Sequence, residues 1–173
     1  MNSSSSSKFD AIRWICDRQP SLERYVEFGS VPLLHFTLMW NMFEGSLCDA
    51  SASPAKLKAV ANTLAQTILL EKSADREFLD FTKERYWTDG APSHRFSFLR
   101  LRSAAEVDVV INVISGNSAN DADVIYGLLL IVYRYRNNTF HGLKEVANVF
   151  GSPELFEQSS RFLSIVLDCA GAA

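Results

Sequence analysis

The chain has no excess of positive charge: 17 Lys and Arg stand against 20 Asp and Glu, for a formal net charge of -3. A protein with this balance does not hold long nucleic acid by bulk charge, so any basic surface must be local. Its 173 residues include only three cysteines, Cys16, Cys48 and Cys169, far apart and without CxxC spacing. That argues against a disulfide framework or a zinc site and for a reducing compartment. No apolar run approaches the roughly 18 residues needed to span a bilayer. The serine run Ser3 to Ser7 has no apolar stretch behind it, unlike a signal peptide. The expectation is a cytoplasmic protein without membrane contact, in which residues 1–7 form a disordered tail. A GxSxG elbow, a Walker loop and an HExxH pair are all missing. His35, His94 and His141 are scattered and show no metal-ligand spacing. No metal or other cofactor is expected.

What the chain does have is apolar substance, 47% of its residues, enough to bury a core. Helical spacing dominates. Phe9, Ile12, Ile15 and Cys16 recur at that spacing within 8–28, which Pro20 interrupts and a Gly29-Ser30 turn ends. Ser30 then caps a second helix to about 48, with Pro32 in its first turn. That helix is apolar on most sides, and Thr37, Asn41 and Glu44 share its one polar stripe. The stripe is either the solvent face or the lining of a site, in which Glu44 would orient His141 or Arg136. Ser53-Pro54 opens a third helix to about 72, and 75–87 reads as a fourth. Asp89-Gly90-Ala91-Pro92 is a turn. Residues 104–114 form a further helix. Asn120 or Asp121 caps the next, which runs toward Arg136, and 153–169 is the last. No repeat or second boundary interrupts 8–173. The fold class expected is an all-α bundle of antiparallel helices with additional short helices, in one domain.

Residues 94–102 fit a short strand pair, a loop or an irregular helix. Here Arg95, Arg100 and Arg102 interleave with Phe96 and Phe98. The pattern suits either a phosphate-contacting loop with aromatics that stack on bases, or a solvated surface whose aromatics reach back to the core.

The apolar segment 124–132 ends in an unusual string, Tyr133-Arg134-Tyr135-Arg136-Asn137-Asn138-Thr139-Phe140-His141-Gly142. Arg is always cationic and forks onto phosphate, while His carries a proton near neutral pH. Such a pair is sufficient equipment for cleaving RNA without a metal. It also suits a plain helix end, where Arg and His satisfy terminal carbonyls and the dipole. Five positions of an ideal helix turn through about 500°, so residues five apart point roughly 140° away from each other. Arg136 and His141 would converge only if the helix ends near Arg136 and restarts around His141, or if it bends while Arg136 reaches around. Asn137, Asn138 and Thr139 are poor helix-interior residues.

Arg136 and His141, separated by Asn137-Asn138-Thr139-Phe140, resemble the Arg-polar-x-x-x-His signature of HEPN ribonucleases. The resemblance covers about ten residues and the all-helical character of the chain. It implies a HEPN-type bundle and a metal-independent endoribonuclease. His141 would be the acid or base, Arg136 would stabilise the phosphorane, and Asn137 would position the phosphate or the His. Asn138, Arg134, Lys144, Arg95, Arg100 and Arg102 are candidate substrate contacts, with Glu44 and Asn41 behind them. The family also implies a homodimer that pools both motifs in one cleft, an RNA substrate, a toxin or antiviral defence role, and a silencing antitoxin or regulatory protein. The alternative is a HEPN-like module that binds nucleotides, RNA or protein without cutting.

Overall fold

A computed structural model describes residues 9–66, 73–140 and 151–171. The expected tail at 1–7, His141, Lys144 and the expected third-helix end at 72 lie outside the described residues. The architecture is helical, with seven α-helices among those residues: α1 Ala11–Arg18, α2 Glu23–Leu47, α3 Pro54–Leu64, α4 Ser73–Tyr86, α5 Ala104–Ser115, α6 Asp121–Phe140 and α7 Pro153–Cys169. A two-stranded hairpin, β1 Trp87–Thr88 and β2 Ala91–Pro92, and 3-10 turns at Pro20–Leu22 and Phe96–Leu99 complete it. The all-α expectation holds at that level. None of the helices described is long and apolar enough to cross a membrane.

Local chemistry sets most boundaries. Ser53 caps α3, accepting the Lys56 amide, with Pro54 in the first turn. Asn120 caps α6 by accepting the Asp123 amide. Asp89 and Gly90 both lie in the left-handed region, at φ 51° and 77°, which closes the hairpin in the twist its strands require. One boundary differs from expectation. Gly29, Ser30 and Pro32 do not end or start a helix, because α2 runs through all three. Pro32 removes one helical hydrogen bond, a loss of about 3 kcal/mol or more in isolation. The same helix buries Val26, Phe36, Trp40 and Phe43 on one face, and that burial outweighs it.

The core lies around α6, where every residue from Gly127 to Val132 is buried. This helix packs on α3 and α5, while α2 and α4 pack on α7. The α5–α6 approach is close: a Cβ at Gly127 would sit 2.6 Å from Val113 Cγ2. Only glycine fits there without displacing α5. The consequence for function is positional. The C-terminal part of α6, which carries the Arg-Asn-Asn run, is held between α2 on one side and α5 with the 96–99 turn on another.

Candidate functional site

The helix does not end near Arg136. It continues through Asn137, Asn138 and Thr139 to Phe140. These residues stay helical against their propensity because tertiary partners hold them. The Asn138 amide donates to the carbonyls of Phe98 and Leu99, at 3.0 and 3.1 Å. Asn137 Oδ1 accepts from Arg136 Nη1 at 3.2 Å. Both asparagines are buried. Of the two geometries weighed for the run, termination at Arg136 is therefore excluded.

Arg136 projects toward α2. Its Nη2 lies 3.7 Å from Glu44 Oε2, and its Cζ lies 5.9 Å from the centre of the Trp40 indole. The same Glu44 oxygen accepts the Trp40 indole N–H at 3.0 Å, and the other accepts the Ala52 amide at 3.0 Å. Glu44 is thus fixed by two donors before it meets Arg136. Trp40 in turn lies beside the Tyr133 ring, with centroids 6.1 Å apart. The Arg136 side chain keeps 29% of its surface and Glu44 18%, so the guanidinium is oriented yet open to solvent on one side. The polar stripe of α2 accordingly divides: Glu44 turns to Arg136, Asn41 is exposed, and the Thr37 hydroxyl donates back to the Leu33 carbonyl of its own helix.

Arg134 has a different fate. Expected as a lower-ranked contact for phosphate or a partner, it is only 2% exposed. Its Nε donates to Glu106 Oε2 at 3.1 Å, and Nη2 bonds both carboxylate oxygens, Oε1 at 2.5 Å. Glu106 also accepts the Arg102 amide at 2.9 Å. A forked, desolvated pair of this kind holds α6 to α5, and no face of Arg134 remains for a ligand. Asn138, also expected to touch substrate, instead anchors the 96–99 turn.

Arg95, Arg100 and Arg102 are exposed, as expected for substrate contacts, but they do not gather at Arg136. Their turn is tied to the Asn138 side of α6, and residues two apart on a helix project about 200° apart. A groove of about 470 Å³ between α3 and the C-terminal ends of α2 and α7 is lined by Leu47, Lys56, Val60 and Cys169 and lies apart from Arg136. Among the described residues, no three His, Cys, Asp or Glu side chains converge as a metal would require.

Burial tunes two further groups. Burial pushes the Cys48 thiol up to about 11, with Glu44 adding to the shift and Lys56 opposing it. Burial likewise pushes the Tyr135 phenol up to about 12, against the nearby Arg85 cation. Neither group ionises near neutral pH.

Trp40 and Glu106 were not singled out from sequence. Trp40 reads as one more apolar residue of α2, although its spacing from Glu44, four residues, places the two on one face. Glu106 follows Ser103 by three residues, the spacing of a helix-capping signature, and the Ser103 hydroxyl does accept the Glu106 amide. Compared with family models, with curated proteins and with solved structures, the chain matches nothing in any of the three.

Proposed function

We propose that the protein is a metal-independent endoribonuclease of the HEPN type. The observation that carries the reading is the setting of Arg136: a guanidinium oriented by Glu44, Asn137 and Trp40 and left open on one side. An always-charged fork of this kind suits an oxyanion that gains charge during reaction. In the proposed reaction a ribose 2′-hydroxyl attacks the adjacent phosphorus. The bond to the 5′ oxygen breaks, leaving a 2′,3′-cyclic phosphate and a 5′-hydroxyl. His141, assigned from the motif, removes the hydroxyl proton or returns one to the leaving oxygen. Arg136 stabilises the added negative charge, and Glu44 with Asn137 fixes its direction.

The proposal includes a homodimer, which would pool two Arg136 and two His141 side chains. An exposed apolar stripe on α2, the helix that carries Glu44, supports it: Phe28, Val31, Leu34, Leu38 and Met42 are each about half exposed or more. A surface stripe this continuous is unusual unless a partner covers it. The biological role proposed is that of a toxin or antiviral defence effector, restrained by an antitoxin or regulatory protein.

The test is cleavage of single-stranded RNA in excess EDTA by wild type, Arg136→Ala and His141→Ala. Cleavage by wild type alone is expected. Equal cleavage by all three would mean a contaminating nuclease and would remove the assignment. Binding without cleavage would replace it with a non-catalytic module.

A further inference from the structure

Between Asp89 and Glu106 the chain carries three arginines and no carboxylate, a local reversal of its acidic balance. Arg95, Arg100 and Arg102 are all exposed, and among the described residues none of them enters an ion pair. In their midst Phe98 is 61% exposed, with the His94 ring edge-on to it at 6.4 Å. An apolar ring in water normally reflects a loose loop or chance. This loop is held at four places. The Ser93 amide donates to the Tyr86 carbonyl at 2.8 Å. Leu99 is fully buried in the core. Asn138 binds the Phe98 and Leu99 carbonyls, and Glu106 holds the Arg102 amide. Arg100, not a glycine, closes the 3-10 turn in the left-handed region at φ 51°. The loop therefore presents an apolar face to solvent from an anchored backbone, with three exposed arginines within four residues of it in the chain.

We infer that residues 94–102 form a single-stranded RNA clamp in which Phe98 stacks on one base and Arg95, Arg100 and Arg102 take the flanking phosphates. The inference deepens the nuclease reading and rests on it for the choice of RNA. Every base has a face that stacks on an aromatic ring, so such a clamp tolerates any sequence, and guanidinium groups suit phosphate oxygens. The clamp and Arg136 attach to opposite sides of α6, on the order of one helix diameter, ~10–12 Å, apart. Asn138, two residues from Arg136, ties the clamp to the helix that carries the cleavage arginine.

The experiment is fluorescence anisotropy of a labelled 2′-O-methyl RNA strand, which has no free 2′-hydroxyl to attack and so reports binding alone. Phe98→Ala should weaken binding about 5- to 150-fold, the range that stacking of one base is worth. An abasic strand of the same length should bind wild type and Phe98→Ala equally. Phe98→Trp should restore affinity for the base-containing strand. Arg95→Ala and Arg100→Ala should weaken both strands and flatten the dependence of log affinity on log salt by about 0.7 per lost contact. Because Phe98 is exposed, its removal should leave thermal unfolding unchanged. Unchanged affinity in Phe98→Ala overturns the clamp, as does preferential binding of poly-glutamate, which would make the loop an acidic-protein site. The two readings fail separately. Phe98-dependent binding with no cleavage of ordinary RNA removes the nuclease and keeps the clamp. Cleavage with Phe98→Ala unchanged in KM and in binding removes the clamp and keeps the nuclease.

Discussion

Arg134 and Arg136 stand two residues apart on α6 and pair with carboxylates on different helices, Glu106 of α5 and Glu44 of α2. The first pair is sealed from water and the second is partly open. Identical side chains thus divide into a clasp of the fold and a candidate reactive group, and substitutions should separate the two.

Removing one member of the buried pair strands the other. Arg134→Ala and Glu106→Ala should each destabilise the protein by about 3–5 kcal/mol, read by urea unfolding. Arg136→Ala should cost only about 1 kcal/mol or less, as a partly exposed pair implies. An Arg134→Met, Glu106→Leu double variant should lose less than the sum of the two single changes, since neither charge is left alone.

Glu44 answers both to Trp40 and to Ala52. Glu44→Gln keeps one acceptor and turns an N–H toward the other donor, so it should lower stability by about 1–2 kcal/mol. It should also release Arg136 from its partner and reduce RNA cleavage by about tenfold or more, the scale of a misplaced catalytic group. Unfolding curves and single-turnover rates check the two effects independently.

The apolar stripe of α2 bears on assembly. Leu34→Glu with Leu38→Glu should convert a dimer to a monomer in light scattering while leaving the helical circular dichroism unchanged, because both positions face solvent in the isolated chain. A wild type that is already monomeric would remove the homodimer from the proposal.

Alkaline pH should weaken the fold. Cys48 ordinarily ionises near 9.0 and is held to about 11, and Tyr135 ordinarily ionises near 10.0 and is held to about 12. In each case the folded state keeps its proton longer than the unfolded chain. The resulting stabilisation is complete below pH 9 and is lost as pH rises through the folded values. The melting temperature should fall between pH 9 and 12, and Cys48→Ala should remove the earlier part of that fall.

Residues whose structure follows from their own chemistry were legible in the sequence. Ser53-Pro54 starts α3, Asp89-Gly90 closes the hairpin, and Pro153 opens α7, each through backbone preference acting over a few residues. Pro32 misled because a distant packing face carries α2 across it. The Asn137–Asn138 pair misled for the same kind of reason, since a carbonyl at Phe98, 40 residues away, supplies what a helix interior normally denies asparagine. Glu44 was visible as one of the three residues of the polar stripe on α2, with Arg136 among the partners open to it. Its engagement with Arg136, and the Trp40 floor beneath it, depend on how α2 meets α6, which no local pattern encodes. The basic, aromatic character of 94–102 was plain. Which ring faces water was not, because Leu99 and Asn138 decide it together.

The central claim is that Arg136 stabilises attack by a ribose hydroxyl on its own phosphate. A DNA strand carrying a single ribonucleotide, incubated in excess EDTA, isolates that step. The expected result is one cut, immediately 3′ of the ribose, with a 2′,3′-cyclic phosphate end, absent with Arg136→Ala. Cutting at deoxyribose positions, an intact strand with wild type, or the same cut by Arg136→Ala would contradict it.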